Sequence, residues 1–434
     1  MLVAITLALG LKFSKLSTPG VTFSTAATGF SDRTNIGTLE VCLARAHDSP
    51  PRGLPLTRAF FLCRAQVPRM GVGTIAWGTD SLDDEARIAA VADAALSNGL
   101  TMFDTAERYG AKGSALIPAA LAAVGLPVQN DYLGGDTETN LQQWVGGRGV
   151  VATKFAPTPW RNDAQSVVDA CAGSCERLGV DSVDLLQIHM PDIIQPFKAF
   201  GIETRNEEAH WDGLARCYHE GLAKNIGVSN YGPTLLRRAH AALAARGVPL
   251  ASNQIHFNLL YRRQGSLATV EACNELGVAC LAYYPLAMGL LTGKLTPQSL
   301  RDRTDTRGKE LLRYLEGGAP DSPFEFPATA GEIPQGGIRT LLITLQEIAA
   351  RNGKTPSQCA LNWIICKGAI PIAGASKISQ IEDNAGALGW RLAPEDVAQL
   401  DAAADALPFE FRGSGFQTAD SKFVGYGFER WRLD

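Results

Sequence analysis

The chain has no C-x-x-C pair, although it contains nine cysteines, Cys42, Cys63, Cys171, Cys175, Cys217, Cys273, Cys280, Cys359 and Cys366. An odd, scattered set excludes a disulfide framework and points to a reducing compartment. Cys171 and Cys175, four apart on an expected helix, read as small buried hydrophobes rather than metal or redox ligands. No strong charge imbalance exists either: the formal net charge is −4, and the basic residues form no long block, which argues against a nucleic-acid footprint. Hydrophobic runs stay far below the ~20 residues that span a bilayer, so no membrane segment is expected. A fixed solenoid period, a G-x-G-x-x-G fingerprint and a phosphate-binding P-loop are also missing. In MGVGTIAWG the third glycine is out of place, and in AMGLLTGKL Gly289 and Gly293 are one residue too close, with Leu295 where Ser or Thr should hold magnesium. What remains is a globular protein with 46% hydrophobic and 19% charged residues, for which small molecules are the expected partners.

Residues 1–66 differ from the rest. They carry seven Lys/Arg against three acids, a charge of +4, whereas the remainder is −8, and they are rich in Ser and Thr. That composition reads as an organelle transit peptide. Met1 lacks a basic region before the apolar MLVAITLALGL, so a bipartite leader, a secretory signal followed by a transit peptide, is the alternative. The expected organisation is therefore a leader over 1–66, a barrel over 67–410 and a C-terminal tail over 411–434.

From Pro68 onward, β-rich runs alternate with helical stretches. Strands are expected in MGVGTIAWG, GLTMFDTA and GVVATKFAP, then at 183–190, 223–230, 250–257, 278–286 and 369–376. Helices are expected around Asp83 to Asn98, Ala164 to Leu178, Pro233 to Ala245, Ser266 to Leu276 and Ile338 to Arg351. Eight units predict a closed (β/α)8 TIM barrel, with a doubly wound sheet as the competitor. Residues 125–148 and 297–337, rich in Gly, Pro and polar groups, read as extended loops at the active face.

On a barrel, the C-terminal strand ends converge, so polar residues that close apolar strands are the first catalytic candidates. Asp104 closes MFDTA, Lys154 closes VVATKF and His189 follows LLQI. A buried Lys and a buried Asp need each other, because an unpaired charge there is costly. Tyr109, expected at the start of the next helix, can swing its hydroxyl over the same rim. A phenol with a pKa near ~10 donates a proton near neutrality more readily beside a cation such as Lys154. With Asp104 holding Lys154 charged and His189 orienting a carbonyl, the group suits carbonyl protonation coupled to hydride delivery.

The segments F-D-T-A-E-R-Y-G, V-A-T-K-F, L-L-Q-I-H-M-P, I-G-V-S-N-Y and P-I-A-G-A-S resemble the aldo-keto reductase family over Pro68 to Trp390. Ala251 to Gln254 and Gly386 to Trp390 are similar to the plant and algal chloroplast-type members. The resemblance implies a catalytic tetrad of Tyr109, Asp104, Lys154 and His189 and an NADPH cofactor laid across the barrel mouth, with no metal. It places Ser229, Asn230 and Gln254 at the nicotinamide amide and Tyr283 against its ring. Leu286, Gly289, Leu291 and Lys294 match the loop over the pyrophosphate. Gly374, Ser376, Lys377, Gln380, Asp383 and Asn384 match the adenosine end, with Lys377 facing the 2′-phosphate. Met190, Tyr284 and Gln380 stand where Trp, Ser and Arg are usual. Trp77 and Trp160 follow strand ends and are candidate walls of the substrate pocket, with ordinary barrel packing as the alternative. The implied activity is reduction of an aldehyde or ketone in a plastid, with the cytoplasm as the second location. Two rivals are a cofactor-sensing regulatory subunit on the same fold, as in potassium-channel β subunits, and a barrel of unrelated isomerase chemistry.

Overall fold

The computed structural model describes residues 68–77, 82–109, 137–157, 161–192, 206–263, 265–303, 306–318, 333–407 and 409. The leader (1–66), the tail (411–434) and Trp160 lie outside these residues.

Eight parallel strands close into a ring in sequence order. They are β1 (Gly71–Gly73), β2 (Met102–Asp104), β3 (Val150–Phe155), β4 (Leu185–Ile188), β5 (Ile226–Ser229), β6 (Leu250–His256), β7 (Ala279–Tyr283) and β8 (Ile370–Gly374). The seam pairs β1 with β8, Gly71 against Ile372 and Gly73 against Gly374. The helices are α1 (Leu82–Ser97), α2 (Thr137–Trp144), α3 (Ala164–Leu178), α4 (Glu207–His219), α5 (Pro233–Ala245) and α6 (Ser266–Leu276). They continue with α7 (Pro297–Arg301), α8 (Thr306–Glu316), α9 (Arg339–Arg351), α10 (Pro356–Cys366), α11 (Ile378–Ala385) and α12 (Pro394–Asp405). A TIM barrel is thus the observed architecture.

Local chemistry explains the boundaries. On α3, Asp163 accepts from the Ser166 amide, satisfying an N-terminal donor, and Gly179 terminates the helix in the left-handed conformation at φ 62°. Prolines at the first turn of α5, α7, α10 and α12 occupy positions where an N–H would have no helical partner. Close packing of α4 on α3 needs Gly213, where a Cβ would stand 2.6 Å from Val167 Cβ and 2.7 Å from Ala164 O.

Three expectations are corrected. The 125–148 stretch is not loop throughout, because Thr137–Trp144 forms α2, whose Leu141 and Trp144 are buried. Likewise 297–337 contains α7 and α8, with Leu300, Leu311 and Tyr314 joining the core. Tyr109 also sits in a turn, not in a helix.

Alternation along the strands sorts the barrel interior from the layer beneath the helices. Met102, Val150, Ala152, Leu185, Leu281 and Ile372 form a separate apolar cluster that fills the barrel, while Phe103, Phe155 and Ile188 join the larger core outside it. Further toward the C-terminal strand ends the interior turns polar: Ser252 donates to Gln187, 3.3 Å away, and beyond them lie Asp104, Lys154 and Gln254. A polar interior at one end of an otherwise apolar barrel is the structural sign of a working face.

Candidate active site

The buried ion pair is the centre of the site. Lys154 is 1% exposed; its Nζ donates to Asp104 Oδ2 at 2.7 Å and to the Thr105 carbonyl at 2.7 Å. Gln254 Nε2 donates to the other carboxylate oxygen of Asp104 at 2.6 Å. The third reach of the ammonium is Tyr109, whose hydroxyl accepts at 3.4 Å. Burial lowers the Lys154 pKa below its ordinary value, and the charge and hydrogen bond of Asp104 oppose that drop.

His189 follows β4 immediately, its amide fixed on the Phe155 carbonyl at 2.7 Å. Its ring packs edge-on to Tyr109, centroids 5.9 Å apart. Burial first, then the positive charges of Lys154 and Arg108, push its pKa well below that of a free histidine, so the ring is neutral. Among the described residues Nδ1 is buried without a hydrogen-bond partner. The structure therefore brings all four expected residues to one rim: a phenol beside a cation and a neutral imidazole.

Tyr109 is held by its own turn. Glu107, two residues earlier, accepts from both terminal nitrogens of Arg161 at 2.6 and 2.9 Å and from the Ala156 amide at 2.8 Å. This clamp ties the turn after β2 to the end of β3. Sequence reasoning missed it, because Arg161 is 54 residues away and only the position of Glu107 in the Tyr109 turn hinted at a role. It also missed Glu138, a fully buried carboxylate at the start of α2. Glu138 takes Thr153 Oγ1 at 2.5 Å and Arg177 Nε at 2.6 Å, bracing the outward face of β3 next to Lys154.

The expected nicotinamide-side residues form one network at the ends of β5 to β7. Ser229 donates to the Gln254 carbonyl at 2.8 Å, and Asn230 Nδ2 donates to the His189 carbonyl at 3.0 Å. Tyr283 donates its hydroxyl to Asn230 Oδ1 at 2.8 Å. Behind Tyr283 lies His256, 5.3 Å away and nearly parallel, itself stacked at 4.0 Å on Tyr261. Burial pushes His256 down to about 3, so this aromatic column is uncharged. Among the described residues, non-glycine left-handed backbone occurs only at Asn230, Tyr284, Ala287 and Met288, all past the ends of β5 and β7. Strain gathered at one face of the fold marks positions that the surrounding structure holds for a purpose other than stability.

The remaining expected residues divide. Leu286 and Gly289 belong to this left-handed loop, whereas the Leu291 side chain is in the core. Lys294 pairs with Asp383 at 2.8 Å, and Asp383 also accepts from Thr355, so these two are already tied to each other. Gln380 Oε1 accepts from the amides of Ser376 and Lys377 at the start of α11. Gly374 and Lys377 are exposed, while Asn384 is buried. Trp77 is fully buried, packed on Phe103 and Trp144, with its indole donating to the Ala375 carbonyl. Among the described residues no group of three or more His, Cys, Asp and Glu could hold a metal, and no helix is long and apolar enough to cross a membrane.

Comparison with known proteins agrees with this geometry. The profile described as "Aldo/keto reductase family" matches residues 69–405. A chloroplastic pyridoxal reductase of Arabidopsis thaliana is 36% identical over 81% of this chain and 87% of its own. An aldo-keto reductase of Strobilurus tenacellus is 30% identical over 76% of this chain and 84% of its own. Among solved structures, an aldo-keto reductase from Klebsiella pneumoniae in complex with NADPH superposes with a TM-score of 0.54 at 22% identity, covering 81% of this chain and 97% of that one. A Bombyx mori aldo-keto reductase in complex with NADP gives 0.51 at 22%, covering 78% and 89%. With the family profile spanning residues 69–405 and two relatives of 30% identity or more covered over more than four fifths of their own length, the chain belongs to the aldo/keto reductase family.

Proposed function

We propose that this protein is an NADPH-dependent carbonyl reductase in which Tyr109 protonates the carbonyl oxygen as the carbon is reduced to an alcohol. The observation that carries the reading is the Tyr109 hydroxyl 3.4 Å from an ammonium that a buried carboxylate holds in place. As a proton leaves the phenol, negative charge grows next to Lys154, which stabilises it; Asp104 keeps that cation oriented. The neutral His189 donates a hydrogen bond to the same oxygen without competing as an acid.

NADPH supplies the hydride. The rim suits such a group: Tyr283 offers an aromatic face, Ser229, Asn230 and Gln254 offer amide-matching polar atoms, and exposed Lys377 at the start of α11 offers a cation where a helix terminus already favours an anion. Leu286, Gly289, Leu291 and Lys294 would border the pyrophosphate, and Gly374, Ser376, Gln380, Asp383 and Asn384 the adenosine. Trp160 stays a candidate pocket wall. The burial of Trp77 supports packing as its main role.

Pyridoxal is the first substrate to test, because the Arabidopsis relative is named for its reduction. The same relative is chloroplastic and residues 1–66 are basic and hydroxyl-rich, which supports a plastid protein with a cleaved leader. The test is NADPH oxidation with pyridoxal and a small aldehyde panel, wild type against Tyr109→Phe. Tyr109→Phe should lose most of kcat while its NADPH Kd, read by fluorescence quenching, stays within about threefold, since ~10²–10⁴ of rate is typical for a positioned acid. Wild-type turnover that survives the substitution refutes the proton-donor role.

A further inference from the structure

Two adjacent residues at the start of α2 reach both halves of the proton-donor pair. The amide of Thr137 donates to the Tyr109 carbonyl at 3.2 Å. The next residue, Glu138, is fully buried, and its Oε1 accepts from Thr153 Oγ1 at 2.5 Å. Thr153 precedes Lys154 on β3, so its side chain faces outward to α2 while that of Lys154 turns inward to Asp104. One helical turn therefore grips the backbone of the phenol and the strand of the cation.

These ties complete others. Ahead of Tyr109 the turn is joined to β3 by the Glu107 amide, which donates to the Lys154 carbonyl at 3.4 Å; the Thr137 amide supplies the tie at the phenol residue itself. Glu138 is held in turn, its second oxygen accepting from Arg177 Nε at 2.6 Å, and Arg177 donates to Ser174 Oγ on α3 at 3.1 Å. Burying an ion pair is a weak source of stability, since apolar groups of the same volume often serve as well, so what this one adds is direction. Its charge also has a target. Burial lowers the Lys154 pKa, and after Asp104 it is the Glu138 carboxylate that raises it, favouring the ammonium beside the phenol.

We infer that Glu138 is a positioning residue for proton transfer: with Thr153 on one side and the Thr137 amide on the other, the first turn of α2 sets the reach between the Tyr109 hydroxyl and the Lys154 ammonium. This rests on the carbonyl-reductase reading and adds to it a residue on the outer side of the barrel wall. The reach matters because a misplacement of ~1 Å in a reacting group can cost ~10²-fold in rate.

The test uses the full chain. Thr153→Val removes the hydroxyl and keeps the shape; with NADPH and the best aldehyde of the panel it should lower kcat ~10-fold or more while KM and the NADPH Kd stay within about twofold. Thr153→Ser keeps the hydroxyl and should recover most of the rate. Glu138→Met fills the same space without acceptor oxygens, and the partly exposed Arg177 can turn to water; it should show the same split and carries the test if Thr153→Val does not fold. In the double variant the loss should match the larger single loss rather than the product of the two, because both changes break one tie. A wild-type kcat in a folded variant, even with a lowered melting temperature, reduces the turn to a brace for stability and overturns the inference, as do equal losses in kcat and cofactor affinity. A second readout needs no turnover: in crystals of Glu138→Met the Tyr109 hydroxyl should lie ~0.5 Å or more farther from Nζ than in crystals of the wild type. If no carbonyl is reduced yet this gap widens, the reductase reading fails and the positioning role of the turn stands. A gap that does not change removes that role whatever the catalysis.

Discussion

Replacing Asp104 by Asn would leave Lys154 buried without the carboxylate it touches. The side chain keeps its shape, and the Thr105 carbonyl still accepts from Nζ. Two responses are open to the ammonium. Staying charged costs about 3–5 kcal/mol, the usual result of removing one partner of a buried pair. Giving up its proton at neutral pH costs about 4.6 kcal/mol, from ~1.4 kcal/mol per unit over the gap between an unfolded lysine near 10.4 and pH 7. The cheaper route sets the loss, so Asp104→Asn should lower unfolding free energy by about 4 kcal/mol at pH 7.

The two routes differ in their pH dependence. Burial already lowers the Lys154 pKa in the intact pair, and losing Asp104 lowers it further. Between the folded and unfolded pKa values the unfolded chain binds more protons, so stability rises with pH across that window and is lost as pH falls. Urea titrations at about pH 7 and about pH 9.5 should therefore show the deficit shrinking by up to ~3 kcal/mol. In a variant that also carries Lys154→Met the titrating group is gone, and the recovery should vanish. A deficit equal at both pH values would refute the argument, because Lys154 would then keep its proton without a buried counter-charge.

Four further outcomes follow from the geometry. His256 is held neutral with a pKa of about 3, so unfolding takes up a proton below the unfolded value of ~6.5; stability present above that pH should fall by ~1.4 kcal/mol per unit from it as acid is added, and His256→Phe should flatten the slope by one proton in pH-dependent denaturation. Gly227→Ala points a Cβ into Gln187 Cγ at 2.9 Å and into Ser252 inside the barrel; a loss of ~1–3 kcal/mol in urea melts is expected, and an unchanged midpoint would show that the interior can yield. Glu107→Gln loosens the turn carrying Tyr109, so kcat should drop ~10-fold or more while NADPH Kd stays near wild type; equal losses in both would mean general misfolding instead. Lys377→Ala should weaken NADPH more than NADH by ~10-fold in titration, and equal weakening removes the residue from 2′-phosphate recognition.

Periodicity made the barrel readable before any coordinates. The helices over Ala164–Leu178, Pro233–Ala245 and Ser266–Leu276 span the ranges expected from helical spacing, from Pro233 at a helix start and from Gly265 before one. The three strand-end residues Asp104, Lys154 and His189 were legible because a charged or polar group closing an apolar strand is expensive without a use. α2 was not, because TETNLQQW buries Thr137 and Glu138 at one end and carries no apolar repeat; its partner Arg177 lies 39 residues on. Composition likewise hid α7 and α8 among Pro, Gly and charge. The link from Gln254 to Asp104 bridges 150 residues, and only ring closure sets two such positions side by side.

The seam between β1 and β8 also dates the protein's maturation. Trp77 and Ala375, joined across it by the indole hydrogen bond, are 298 residues apart. Bringing such distant segments together carries an entropy cost of about 5 kcal/mol on the logarithmic scaling of loop closure. The tetrad, spanning 104–189, precedes β8 in the chain, and until β8 is made the ring cannot close, so any sheet built from the first seven strands has bare edges at its first and seventh. Ring sealing transfers the Trp77 indole into a fully buried site. Its emission is thus an internal clock for the moment the nascent sheet stops being able to pair with another chain.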